Sequence, residues 1–331
     1  MNWGVLGVAK IATEKVIPAM LGSENFNVLG IASRDHARAK SAAERLGLLK
    51  AYDSYDALIA DPDIDIVYIP LPNHLHFTYA LKCIEAGKHV LCEKPITLKS
   101  DEIKKLIAAR NRHGVKIGEA FMVKSHPQWI KARELVLSGY LGKVKLVQGY
   151  FNYYNVDPQN IRNIDMYGGG AMWDIGCYPV MTARFVLGEE PTKVVALMEK
   201  DGEFGTDALS SVIMRFPSAQ VVFSVSTQLS NSQRMIFIGD KQNMEIKIPF
   251  NAPNDQATQL IINSGNILQD NNEEIYFDIC DQYALQAEAF VRSIKNKTEA
   301  PVSLEEAWSN TRVLEAIFES AATGRWVEVQ Q

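Results

Sequence analysis

The chain has 331 residues, 47% hydrophobic and 22% charged, with a formal net charge of −5. That length exceeds one ordinary domain and predicts two, each with a sizeable core. The mild acidic balance leaves no electrostatic footprint for nucleic acid or for an anionic membrane surface.

Four cysteines, Cys83, Cys92, Cys177 and Cys280, lie far apart with no CxxC pair. They read as buried, reduced thiols rather than a zinc cage or a disulfide framework. No apolar run approaches the roughly 20 residues that span a bilayer. Residues 1–7 carry no basic region ahead of a long apolar one, so the cytoplasm is the expected location.

In chain order, Trp3-Gly-Val-Leu-Gly-Val reads as a strand and Ile11 to Leu21 as an amphipathic helix. Strand Asn27 to Ala32 precedes a helix from about His36 to Leu46, and strand Asp65 to Ile69 precedes a helix near Leu75 to Ala86. Strand Lys88 to Cys92 precedes a helix from Ser100 to His113, with Gly114 as its C-cap. A short strand, Val115 to Gly118, follows. This alternation predicts a parallel, doubly wound sheet covered on both faces.

Beyond about residue 120 the rhythm changes. A helix near Gln128 to Ser138 leads into strand Lys143 to Tyr153. Strands Thr192 to Glu199, Leu209 to Phe216, Gln220 to Thr227, Arg234 to Ile238 and Met244 to Ile248 follow. Val221, Phe223 and Val225 alternate with Ser224 and Ser226, which predicts an antiparallel sheet with one apolar face. Ser303 and Glu306 form a capping box for a last helix, about 303–323. The expected fold class is therefore α/β: a Rossmann domain over 1–120, then an α/β domain over 121–331 with a large, mostly antiparallel open sheet.

Gly7-Val-Ala9-Lys10-Ile11-Ala12 joins the first strand to the first helix and matches G-x-G-x-x-A, with Ala9 in place of the second glycine. Gly7 permits the turn, the helix N-terminus offers N–H groups to a pyrophosphate, and Ala12 allows close packing on the sheet. The second strand ends in Ser33-Arg34, a hydroxyl and a guanidinium that suit a ribose 2′-phosphate. NADP is thus the expected cofactor, with NAD the alternative. Asp35 fits better as the N-cap of the next helix. Taken alone, Arg34 is equally an ordinary surface charge.

Three further stretches carry chemistry: Pro70-Leu71-Pro72-Asn73-His74-Leu-His76, Glu93-Lys94-Pro95, and Gly168-Gly-Gly-Ala-Met-Trp-Asp174-Ile-Gly176-Cys-Tyr178. The first two sit at the carboxyl ends of consecutive parallel strands, where open α/β sheets bind ligands. Leu71, Pro72, Asn73, His76, Glu93 and Lys94 join the expected cofactor-binding set. Asn73 is read equally as a contact of the nicotinamide ribose or as a helix cap. His74, His76 and His126 have no acidic partner at ligand spacing, so no metal site is expected.

Together these segments resemble the Gfo/Idh/MocA oxidoreductase family along essentially the whole chain. The resemblance implies an N-terminal Rossmann domain, a C-terminal sheet that mediates oligomer formation, and a last helix that returns toward the first domain. It implies that Lys94 touches the substrate and the nicotinamide ribose, and that Asp174 faces the pocket. Many members carry a histidine four residues after that aspartate; this chain has Tyr178. Tyrosine there resembles the branch with glucose-fructose oxidoreductase, NADP-dependent aldose (D-xylose or D-glucose) dehydrogenases and dimeric dihydrodiol dehydrogenase. Glu119-Ala-Phe-Met122-Val-Lys-Ser-His126-Pro127 is closer to the sugar-using members, because the dihydrodiol enzyme has tryptophan at the position of Met122.

The chemistry can also be argued from the residues. Oxidising a hemiacetal moves a hydride to the nicotinamide and a proton to a base. A phenol has an ordinary pKa near 10, and a nearby ammonium favours its phenolate. Tyr178 is the candidate acid/base, Lys94 its activator and the donor to the substrate oxygen, and Asp174 the group that holds the lysine or a sugar hydroxyl. Met122, Arg162 and Tyr167 complete the expected substrate contacts; Tyr153, Tyr154, Tyr167 and Trp173 leave an aromatic lining open. Taken singly, Lys94 is a strand-end surface charge, Asp174 a helix cap and Tyr178 a half-buried ring. The leading expectation is an NADP-dependent aldose 1-dehydrogenase acting on a sugar or polyol as a homodimer or homotetramer. The alternatives are a trans-dihydrodiol dehydrogenase or keto-sugar reductase, and a non-catalytic cofactor-sensing regulator.

Overall fold

Tyr68, Val67, Ile66 and Ile69 are all fully buried, as are Val5, Leu6, Val90 and Cys92. Runs of this kind, apolar toward both faces, belong to strands covered on both sides. In a computed structural model of the chain, which describes residues 1–268 and 270–330, they form a six-stranded parallel sheet. Its strands are β1 (Asn2–Leu6), β2 (Asn27–Ala32), β3 (Lys50–Tyr52), β4 (Ile66–Ile69), β5 (His89–Glu93) and β6 (Ile117–Ala120), in the order β3-β2-β1-β4-β5-β6. The order reverses between β1 and β4, which opens a crevice at the strands' carboxyl ends. Asp35 accepts from the N–H groups of Ala37 and Arg38 and caps the helix His36–Leu46, as its position predicts.

The chain divides into two compact units, Met1–Met122 with Asp281–Trp308, and Val123–Cys280 with Ser309–Gln331. The sequence puts the boundary at 120 and returns only the last helix, about 303–323, toward the first domain; 281–308, the start of that helix included, belongs with the first unit. The reason is apolar burial. Helix Gln282–Lys295 packs Ala287, Phe290 and Val291 into the core around Trp3, with the Trp3 and Phe290 rings 5.9 Å apart. Leu304 and Ala307 join the core that holds Ile103 and Leu106. Ser303 and Glu306 form the reciprocal capping box that opens the helix Leu304–Thr323.

The second unit holds a nine-stranded sheet. Its strands are β7 (Val144–Tyr154), β8 (Lys193–Lys200), β9 (Asp207–Arg215), β10 (Gln220–Ser226), β11 (Gln228–Gly239), β12 (Asn243–Ile246), β13 (Thr258–Asn263), β14 (Asn272–Phe277) and β15 (Val327–Glu328). The order is β14-β13-β12-β11-β7-β10-β9-β8-β15, and β7–β10 is its parallel pair. Val221, Phe223 and Val225 are buried on the covered face. Trp129, from helix Pro127–Leu137, stacks there on Phe250 and meets Phe237 edge-on. No helix among the described residues is long and apolar enough to cross a membrane.

Candidate active site

Gly7 turns the chain out of β1 at φ +98°, a conformation that disfavours any side chain, and an added Cβ would lie 2.9 Å from Leu71 Cδ2. The helical segment that follows opens at Lys10, so the N–H groups at its start face the end of the sheet. Ala12 is fully buried, as a close helix–sheet contact requires, while Lys10 is exposed and pairs loosely with Glu14 at 4.0 Å. A π turn, Ala12–Val16, interrupts this helix. At the end of β2 the buried Ser33 hydroxyl accepts from Asp35 N–H. Arg34 is exposed, within hydrogen-bonding reach of the Tyr55 hydroxyl, and its charge pushes the His74 imidazole downward after burial has done the same. Glycine, helix N-terminus and guanidinium therefore share one end of one sheet, and these residues fit a dinucleotide.

Leu71, Pro72 and Asn73 follow β4, with Asn73 as the first residue of helix Asn73–Glu85. His76 is fully buried, its Nδ1 2.7 Å from Pro95 O and its Nε2 2.6 Å from Leu71 O. Both ring nitrogens face protein carbonyls and the side chain is fully buried, so the expected contact between His76 and cofactor gives way to a role inside the protein. Burial pulls this imidazole down to about 4. Glu93 ends β5 and accepts from the hydroxyl of the buried Tyr68 at 2.6 Å. Lys94 and Glu93 are half-buried. Ile96 N–H donates to Oε1 of Glu119, a buried residue of β6, at 2.8 Å. Met122 is buried in this unit.

In the second unit three consecutive glycines solve a close-approach problem. Gly170 N–H donates to Arg162 O at 2.8 Å, and a Cβ on Gly169 would lie 2.4 Å from that same oxygen. Gly170 has φ +106°, and its Cβ would meet Asp207 Oδ1 at 2.0 Å. Asp207 is buried at the start of β9 and accepts from Met172 N–H and Ser210 Oγ, fixing the opening of the next helix. Burial pushes this carboxyl up to about 6.

That helix begins with a π turn, Met172–Gly176, and continues as Cys177–Leu187. Asp174 lies in the π turn, a distortion that recurs at functional sites. Its Oδ2 accepts from Tyr153 OH at 2.7 Å and from Arg162 Nε at 2.8 Å. The Asp174 charge holds the Arg162 guanidinium above its ordinary range, with smaller contributions from Tyr153 and Tyr178. Burial, then Asp174, pushes the Tyr153 phenol well up. The Tyr178 ring is buried between Phe151, edge-on at 5.9 Å, and Phe250, at 5.5 Å. Tyr167 is half-buried in the 3-10 turn Asp165–Tyr167, and Trp173 stacks on Phe318 at 5.1 Å.

Asp174, Arg162 and Tyr178 thus fall into one electrostatic cluster. Tyr153 belongs to it as well, and only as a candidate aromatic did the sequence mark it. Its parity with Phe151 on β7 was the available signal. Asp207 and Glu119 carried no signal of their roles, because each acts through a backbone N–H distant in sequence. Cys83, Cys92 and Cys177 are buried; Cys280 departs from expectation, half-buried with Sγ 3.5 Å from His126 Nε2.

Residues 1–121 match a family described as an oxidoreductase family with an NAD-binding Rossmann fold, and residues 129–245 match the GFO/IDH/MocA C-terminal domain. The chain is 37% identical over 334 residues to D-xylose 1-dehydrogenase (NADP(+)) 2 of Haloferax volcanii, covering 99% of this chain and 100% of that one. It is similar to the structure of KijD10, a 3-ketoreductase from Actinomadura kijaniata in complex with NADP and TDP-benzene, with TM-score 0.90, 26% identity and 97% of each chain covered. It is equally similar to aldose-aldose oxidoreductase from Caulobacter crescentus complexed with glycerol, with TM-score 0.90, 26% identity and 99% of each chain covered.

Proposed function

Because the chain belongs to the Gfo/Idh/MocA oxidoreductase family, we propose that it is an NADP-dependent aldose 1-dehydrogenase that oxidises a pyranose to a lactone. The observation that carries this reading is the junction at Asp174. One carboxylate receives a phenol and a guanidinium one turn before Tyr178. A carboxylate accepts from sugar hydroxyls and a guanidinium donates to them, which suits a neutral polyhydroxylated substrate.

In this reading Tyr178 takes the proton of the anomeric hydroxyl, and Lys94 donates to the same oxygen and favours the phenolate. Asp174 and Arg162 orient the ring hydroxyls, with Tyr153 fixing the carboxylate; Tyr167 and Met122 add to the substrate pocket. The nicotinamide, when bound, supplies the hydride acceptor. Gly7 through Ala12 would hold the pyrophosphate, Ser33 and Arg34 the 2′-phosphate, and Leu71, Pro72, Asn73 and Glu93 the nicotinamide half. The likenesses to an NADP(+)-dependent xylose dehydrogenase and to an NADP-bound reductase support the choice of NADP. The second of these also favours an alternative, reduction of a keto-sugar by the same groups in reverse.

The test is reduction of NADP and of NAD, followed at the nicotinamide absorbance, over aldoses, polyols and trans-dihydrodiols. Turnover of an aldose with NADP is the expected result. Silence with both cofactors despite tight binding would replace the enzyme by a cofactor-sensing regulator. We further propose a cytoplasmic homo-oligomer formed through the open face of the nine-stranded sheet. There Tyr150, Val222 and Ile236 line a shallow groove beside the Arg234–Glu245 pair, and sedimentation measures the oligomeric state.

A further inference from the structure

We infer that His76 and Glu119 are positioning residues that together lock the single peptide group following the Lys94–Pro95 dipeptide. This rests on the role proposed above for Lys94. The carbonyl of that peptide, Pro95 O, lies 2.7 Å from His76 Nδ1, and its N–H, on Ile96, donates to Glu119 Oε1 at 2.8 Å. Both side chains are buried, His76 on the helix after β4 and Glu119 on β6. One peptide is therefore held at both ends by two neighbours of β5.

The consequence follows from backbone geometry. The Lys94–Pro95 peptide is planar, and the proline ring fixes φ of Pro95. Between the Lys94 Cα and the anchored peptide only ψ of Pro95 is soft, and rotating it would swing the carbonyl away from His76 and the N–H away from Glu119. The position of the lysine's Cα, at the end of β5, is thereby set before any ligand arrives, which precise placement of an ammonium on a substrate oxygen needs. A buried ring held neutral has one N–H to give. Carbonyl oxygens face both ring nitrogens, Pro95 O at 2.7 Å from Nδ1 and Leu71 O at 2.6 Å from Nε2, and the proposed anchor is the tautomer that gives the N–H to Pro95 O.

Burying an imidazole and a carboxylate costs stability, and apolar side chains of similar size would fill the same space at lower cost. Neither group presents its bonded atoms to a ligand. What they share is the peptide beside Lys94.

The experiment compares His76→Ala, His76→Asn, Glu119→Ala, Glu119→Gln and Lys94→Ala at saturating NADP and sugar, with melting temperature and hydrogen exchange at the Ile96 amide measured in the absence of ligands. Asparagine offers an N–H near the Nδ1 position, and glutamine keeps an acceptor at Oε1. Both alanine variants should lose about ten- to a hundredfold in kcat, on the scale of a displaced catalytic group. His76→Asn and Glu119→Gln should each retain most of it, and Ile96 exchange should accelerate in Glu119→Ala and not in Glu119→Gln. Wild-type kcat in both alanine variants, with Lys94→Ala inactive, would overturn the anchor and leave the lysine's role standing. Full turnover in Lys94→Ala would instead remove the lysine's role. If the alanine variants do not fold, His76→Gln decides: its longer amide reaches toward Leu71 O, so wild-type kcat in that variant would overturn the assignment.

Discussion

Arg162 Nε donates to Asp174 Oδ2 across 2.8 Å, although the guanidinium is 43% exposed and the carboxylate only 12%. The glycine run makes this contact available by letting Arg162 O approach Gly170 N–H. The carboxylate is largely buried, so removing the guanidinium would leave it with the Tyr153 hydroxyl and without this cation, which costs stability. Arg162→Ala should therefore lower the melting temperature and raise KM for the sugar by about tenfold with little change in kcat, the signature of lost uniform binding. Steady-state kinetics with calorimetry checks both halves of that statement.

Tyr178→Phe keeps the ring packed between Phe151 and Phe250 and removes only the hydroxyl. Turnover should fall by about a hundredfold or more, within the range for lost acid/base catalysis, with the fold intact. Full activity in this variant would send the proton elsewhere.

Arg34 stands exposed at the end of β2 beside the Tyr55 hydroxyl. Arg34→Ala should weaken NADP by roughly tenfold or more, since a charge-assisted bond to phosphate is worth about 1.5–3 kcal/mol. Binding of NAD should barely change. Titration calorimetry with both dinucleotides separates the outcomes, and equal loss for each would contradict the assignment.

Stability should fall on acidification from about pH 6.5 toward pH 4. Burial holds His76 and His126 each at about 4, below the ordinary 6.5. The unfolded chain then binds protons first as the pH drops, so the contribution present above 6.5 is lost toward 4. Asp207 opposes this. With its carboxyl raised to about 6 from 3.8, its contribution is full at low pH and is lost as the pH rises through 6. Asp207→Asn should consequently make the acid-side decline steeper, as thermal melts between pH 4 and 7 would reveal.

Much of this molecule could be read from local pattern. The turn at Gly7, the capping box at Ser303 and Glu306 and the Asp35 cap are properties of neighbouring residues, and each took the predicted form; along β10 the apolar Val221, Phe223 and Val225 are buried as predicted, but Ser226 is buried with them and the strand pairs in parallel with β7. Short or polar elements escaped: β3 is three residues long, β15 two, and β14 presents a mostly exposed Asn-Glu-Glu-Ile-Tyr-Phe run; β13, six residues and largely buried, escaped as well. The helices Tyr55–Ala60 and Gln282–Lys295 were also passed over, though the apolar residues of the second, Ala287, Phe290 and Val291, have helical spacing. Neither π turn leaves a mark in periodicity, since each shifts the helical register by a single residue over five. Contacts such as Glu119 with Ile96, or Asp207 with Met172, depend on which strands become neighbours, and no local rule carries that information.

The most direct test follows the transferred hydrogen. An aldose deuterated at C1, D-xylose first, is incubated with the protein and NADP, and the reduced cofactor is analysed by NMR. Deuterium on the nicotinamide C4, with a slowed rate relative to the unlabelled sugar, is the predicted result. A reduced cofactor without the label, or no reduction with any aldose, would contradict oxidation at the anomeric carbon.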